Sequence, residues 1–205
     1  MWPTGRASFA PSGTNFSVDP ERVAAFLQDA AYLKMVPRTG WFLRGVPEAE
    51  SVAEHAWGVA LVTLVLAQGV EASIDREKAL STALLHDLPE RVLSDIPAPA
   101  ERYLPPGAKR RAEEAVLAEM LAVLPAADRL QSWWREFEDR SSPEGRLVRD
   151  ADRLELLIQA RLYEESRGSH LDEFWERMAE VEFYFPISQA IYQALVDARD
   201  EESDG

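Results

Sequence analysis

An all-α fold, a compact helical bundle in one domain, is predicted for this chain of 205 residues. Three observations predict it. Beyond Phe16 nearly every segment sets its apolar residues at helical spacing. Helix-start signals recur just ahead of those segments. No stretch of useful length alternates apolar with polar residues as a half-buried strand would. Taken in order, residues 1–16 are rich in Pro, Gly, Ser and Thr and have no period, so they read as a flexible tail ahead of a domain over 17–205. Asp19-Pro20-Glu21 starts a helix, with Asp as N-cap and Pro in the first turn. Val23, Phe26, Leu27, Ala30 and Leu33 share its apolar face. Pro37 to Gly45 reads as a loop carrying Arg38, Trp41 and Arg44.

Ser51-Val52-Ala53-Glu54 fits a capping box and opens an apolar helix to about Gln68. Asp75 opens the next, which runs through Ala79, Leu80 and Ala83 into His86-Asp87, with Pro89 marking its end. A Pro-rich loop from Asp95 to Pro99 precedes a long helix over about Ala108 to Leu124. Pro125 starts another, with Trp133, Trp134 and Phe137 assigned to packing. Ser142-Pro143 starts a helix through Leu147, Ala151, Leu154 and Ile158 to about Arg167. Two more follow, from Ser169 and from Pro186. No repeat of fixed period occurs, so a solenoid is excluded.

Composition narrows the function. The formal net charge of −14, from 22 basic and 36 acidic residues, argues against a nucleic-acid backbone as partner. A small anion held by a few local Arg or Lys is compatible with it. Without cysteine there is no disulfide, thiol catalysis, zinc–thiolate site or iron–sulfur cluster. The first residues lack the pattern of a signal peptide. The longest apolar run, Val59 to Ala67, is short for a bilayer. A cytoplasmic protein without a membrane partner is the expectation.

Chemistry concentrates on few residues. The three histidines are His55, His86 and His170. His86-Asp87 sits at the end of an apolar helix, where imidazole, carboxylate and the negative end of the helix dipole all favour a cation. Read singly, each residue also has an ordinary structural role. His86 can bond a carbonyl while Asp87 caps the next segment. His55 can be a core histidine, Glu54 the capping-box carboxylate, and Asp152 an ion-pair partner of Arg149.

The order His55, His86-Asp87, Asp152, each on a different predicted helix, resembles the HD-domain superfamily of metal-dependent phosphohydrolases, whose signature is H…HD…D. Leu33 to Trp41 (LKMVPRTGW), Glu50 to His55 (ESVAEH), Leu84 to Glu90 (LLHDLPE), Asp95-Ile96-Pro97 and Asp150-Ala151-Asp152 resemble its 5′-deoxynucleotidase branch. The resemblance spans about Val18 to Leu162. It implies an HD-type bundle in which His55, His86, Asp87 and Asp152 hold one divalent metal ion (Mn²⁺, Co²⁺, Mg²⁺ or similar). Glu90 and Asp95 would be the catalytic carboxylates, with Arg38 and Trp41 against phosphate and sugar. The implied activity is hydrolysis of (deoxy)nucleoside 5′-monophosphates to nucleoside and phosphate by attack of a metal-bound water, in a homodimer. Alternatives are an HD phosphodiesterase, a phosphatase of another small phosphorylated metabolite, and a non-catalytic metal- or nucleotide-binding module. Arg153 stands where relatives often have Lys, and Ala98 where some have Thr. One ion rather than two is expected, because no histidine lies between Asp87 and Asp152. Glu113 and Glu114 read as part of a solvated helix face, and Lys34 or Arg44 as aids to Arg38.

Overall fold

In the computed structural model, which describes residues 18–203, the chain folds into helices joined by short turns. The tail expected at residues 1–16 lies outside the described residues. The helices are α1 (Pro20–Ala31), α2 (Thr39–Phe42), α3 (Val52–Gly69), α4 (Arg76–Leu85), α5 (Glu90–Leu93), α6 (Ala98–Glu101), α7 (Ala108–Leu121), α8 (Ala127–Asp139), α9 (Pro143–Arg167), α10 (Asp172–Ala179) and α11 (Pro186–Ser203). A 3₁₀ turn, Tyr32–Met35, follows α1. No strand occurs among the described residues; one antiparallel bridge joins Pro37 to Ser51.

Four of the starts read from sequence are made by the side chains expected to make them, whereas the starts expected at Pro125 and Ser169 fall later, at Ala127 and Asp172, without side-chain caps. Asp19 accepts from the N–H groups of Glu21 and Arg22, Asp75 from Lys78 and Ser142 from Gly145. Ser51 and Glu54 form a reciprocal capping box, satisfying donors that a helix start leaves open. α3 and α9 form the central pair, with α4 and α8 laid against them. Val59, Leu66, Ala83, Phe137, Leu147, Val148, Ala151 and Leu154 interlock between them. A second cluster, with Leu33, Val52, Leu117, Leu121 and Trp134, ties in α7 and the 3₁₀ turn. α8 and α9 pack tightly at Gly145, where a Cβ would fall 2.8 Å from the Glu136 carbonyl oxygen and 2.9 Å from Phe137 Cα. Backbone cannot yield as a flexible side chain can. Gly145→Ala is therefore expected to cost about 1–3 kcal/mol of stability, read in urea unfolding.

Several other sequence expectations change. The segment from Pro37 to Gly45 contains a helical turn, α2. Its start is capped by Asp95 Oδ2, which accepts from the Thr39 N–H at 2.7 Å across a separation of 56 residues. α4 stops at Leu85, and Pro89 begins α5 instead of ending α4. Leu27 and Ile158, read as inward, are 60% and 42% exposed. On α9 the buried stripe continues through Leu157 and Ala160 instead. Finally, α3 at 18 residues is long and apolar enough, by length and composition, to cross a bilayer. Its inner face is committed to the core through Val52, Ala56, Val59 and Leu66, while Trp57, Leu61, Leu64 and Val65 face outward.

Candidate metal centre

The bridge at Pro37 and Ser51 brings the Arg38 segment beside the first turn of α3, with Arg38 N–H donating to the Glu50 carbonyl at 2.9 Å. His55 lies on that first turn, buried beneath Arg38. His86 is the C-cap of α4. Its carbonyl, one of those a helix end leaves open, accepts from Trp134 Nε1–H at 3.0 Å. Asp87 follows in the next turn, and Asp152 projects from the middle of α9. Three distant stretches of chain thus converge.

Both rings are oriented by their Nδ1 atoms. His86 Nδ1 lies 2.8 Å from the Ala83 carbonyl oxygen, which only accepts, so Nδ1 carries the proton. His55 Nδ1 lies 2.5 Å from Glu155 Oε2. The Nε2 atoms of both rings are buried without a hydrogen-bond partner, an arrangement proteins avoid without reason. Around them stand carboxylates. Asp87 Oδ2 is 3.2 Å from His86 Nε2 and 3.7 Å from His55 Nε2. Asp152 Oδ1 is 3.3 Å from His55 Nε2. A ligand atom from each of His55, His86 and Asp152 lies within 4.8 Å of the others. Two imidazoles and two carboxylates suit a divalent cation, and the orphaned nitrogens face the point where it would sit. The donor set fits the ion.

The electrostatics agree. Burial opposes the charge on Asp87, yet His86, Arg38 and His55 hold its carboxyl well below the usual range. Burial likewise opposes Asp152, and His55 with Arg149 holds it low. For His55 burial and Arg38 disfavour protonation, but the facing carboxylates of Asp152 and Glu155 win and raise it to about 10. A proton and a cation would compete for the same ring nitrogen there.

A cavity of about 380 Å³ opens over this centre. Arg38, Trp41, Asp87, Asp95 and Asp152 line it. Arg38 Nη1 lies 3.3 Å from Asp87 Oδ2. Trp41 is 1% exposed and forms wall more than protrusion, with Nε1–H donating to Glu50 Oε1 at 2.9 Å. Asp95 is pinned twice by Thr39, whose hydroxyl donates to its carbonyl at 2.9 Å while the Thr39 N–H holds Oδ2. Ser94, immediately before it, has φ 60° and ψ 166°, a region costly for any residue but Gly and concentrated at functional sites. Glu90 is 3% exposed. Burial first, then Asp87 and Asp95, push it up to about 9.

Sequence reasoning missed several neighbours. Lys109, Arg149 and Arg153 also line the cavity, and Thr39 positions Asp95. Glu113 is turned inward against Lys109 at 3.4 Å with a side chain 13% exposed, so it is not part of a solvated face; Glu114 pairs with Arg135 and fits that reading better. Arg44 reaches the cavity and pairs with Glu173, whereas Lys34 is exposed elsewhere. Asp152 makes the expected ion pair, Arg149 Nη1 to Oδ2 at 3.1 Å, and faces His55 with its other oxygen. Glu155 was legible in principle as a lone charge inside the apolar stripe Ala151, Leu154, Leu157.

Fold and site together define a helical protein with a candidate metal centre at the floor of a cavity rich in basic side chains. Compared with known proteins, the HD domain profile matches residues 30–184, and the chain belongs to that family. It is 33% identical over 183 residues to a 5′-deoxynucleotidase, HDDC2, of Danio rerio, covering 87% of this chain and 88% of that one. The Homo sapiens 5′-deoxynucleotidase HDDC2 is 34% identical over 158 residues, 75% of each chain. A solved structure of a conserved hypothetical protein from Pyrococcus furiosus superposes with a TM-score of 0.72 at 37% identity, covering 86% of this chain and 99% of that one.

Proposed function

We propose that this protein hydrolyses 2′-deoxyribonucleoside 5′-monophosphates to nucleoside and inorganic phosphate, with one divalent ion held by His55, His86, Asp87 and Asp152. The observation that carries this reading is the pair of buried, unpartnered Nε2 atoms facing two aspartates beneath a basic cavity. Seven basic side chains and three carboxylates line that cavity, in a chain whose net charge is −14. Such local inversion suits a phosphate dianion. The similarity to curated 5′-deoxynucleotidases supports the substrate class.

A bound divalent ion supplies charge neutralisation at the phosphoryl oxygens and a lowered pKa for water. The chain's own residues do the rest. Arg38 offers its planar fork to the phosphoryl oxygens. Asp95, held by Thr39, orients the attacking water and takes its proton. Glu90, whose burial favours the protonated acid, delivers a proton to the sugar oxygen as the P–O bond breaks. Leu156, Phe174, Met178 and Val181 give an apolar wall for sugar and base. A module that merely binds metal has no need of a buried acid at Glu90, whereas Asp95 also caps α2.

The test is phosphate release from a panel of ribo- and deoxyribonucleoside 5′-monophosphates with Mn²⁺, Co²⁺ or Mg²⁺. Release favouring deoxyribonucleotides is expected, and silence across the panel with every metal contradicts the reading. Arg38→Lys is expected to lower kcat/KM by roughly 10–100-fold while leaving metal content intact, the loss of a charge-assisted bidentate contact. The reading extends to a cytoplasmic homodimer. The outward stripe Trp57, Leu61, Leu64 and Val65 on α3 supports association, and light scattering at twice the chain mass would bear it out.

A further inference from the structure

His55 is gripped from the edge opposite the metal-facing one. Its Nδ1–H donates to Glu155 Oε2 at 2.5 Å, and the two side chains are 0% and 7% exposed. Glu155 stands one helical turn beyond Asp152 on α9, so one helix supplies both a ligand and the partner of another ligand. Its seat exists because α3 has no side chain opposite. A Cβ at Gly58 would lie 2.6 Å from Glu155 Oε1 and 2.8 Å from its Cγ, and the three nearest atoms to that position all belong to Glu155. Glycine is otherwise unfavourable inside a helix. Behind Glu155 the Glu50 carboxylate comes within 4.8 Å. Glu50 in turn is fixed by Trp41 Nε1–H at 2.9 Å, and its own N–H donates to Tyr163 Oη at 2.8 Å. A buried chain of contacts therefore runs from the cavity wall to the far side of His55.

We propose that Glu155 is the positioning residue for His55, fixing the ring and the tautomer whose Nε2 lone pair faces the metal centre, and that Gly58 is the gap in α3 that admits it. The inference rests on the metal-centre reading above. Carboxylates behind ligating histidines orient the ring and raise its basicity, and their loss typically costs about 10–100-fold in metal affinity.

The test titrates Mn²⁺ into metal-free protein and follows the histidine Nδ1–H signals of the Zn²⁺-loaded, ¹⁵N-histidine-labelled protein. Glu155→Leu is expected to weaken Mn²⁺ binding by about 10–100-fold and to abolish the His55 Nδ1–H signal. Glu155→Gln keeps an oxygen that accepts the same proton, so it should hold affinity within a few-fold. Gly58→Ala should weaken binding in the wild-type background and add nothing to Glu155→Ala, the signature of two coupled sites. If Glu155→Leu does not fold, Glu155→Gln and the Gly58 cycle carry the test. Wild-type affinity in Glu155→Leu, an equal loss in Glu155→Gln, or an equal Gly58→Ala effect in both backgrounds would each overturn the inference alone. Failure of the wild type to bind Mn²⁺ would overturn it together with the metal-centre reading.

Discussion

Replacing His86 by Ala is expected to strip the protein of its divalent ion and reduce phosphate release to background. His86 has no spare role that would soften the loss. Its Nδ1 is spent on the Ala83 carbonyl, and its Nε2 is buried without a hydrogen-bond partner, 3.2 Å from Asp87 Oδ2. Outer-shell changes alone typically lower metal affinity by about 10–100-fold, so removing a ligand should exceed about 100-fold. Asp87→Ala should behave alike. The fold should survive both changes, because Trp134 bonds the backbone carbonyl at position 86 and not the ring. Elemental analysis is the check, and full metal content in both variants would remove these residues from the centre.

Glu90→Gln and Asp95→Asn are expected to give the opposite separation: metal retained, turnover lost by about 100-fold or more, as is typical of acid–base groups. Both substitutions preserve shape. Asn at position 95 still presents an oxygen to the Thr39 N–H, so α2 stays capped, and Gln at position 90 fills the same buried volume. What each removes is the ability to exchange a proton. Near-normal kcat in both variants would leave the proposed mechanism without its carboxylates.

What could be read in advance was local. Asp19, Ser51, Asp75 and Ser142 act on donors two or three residues away, and such caps are visible in any sequence. His55, His86-Asp87 and Asp152 were legible because their order matched a known signature, not because spacing along the chain predicts convergence. What stayed hidden depends on long-range contact. The helical turn at Thr39 is started by a carboxylate from position 95. Glu155 stands out as a charge inside an apolar stripe, but its partner His55 lies 100 residues away in sequence, and Glu113 reads as solvated until α7 is placed against α5. The edge of a buried face also escaped: Leu147, Ala151 and Leu154 are buried as read, yet Ile158 on the same helix and Leu27 on α1 satisfy the apolar period and face outward.

The most direct test of the central claim is anomalous diffraction from crystals soaked in Mn²⁺. The account predicts a single peak per chain, within about 2.0–2.4 Å of His55 Nε2, His86 Nε2 and oxygens of Asp87 and Asp152, as first-row divalent ions require. A peak away from these four residues, or two peaks close enough to share a bridging ligand, would contradict it.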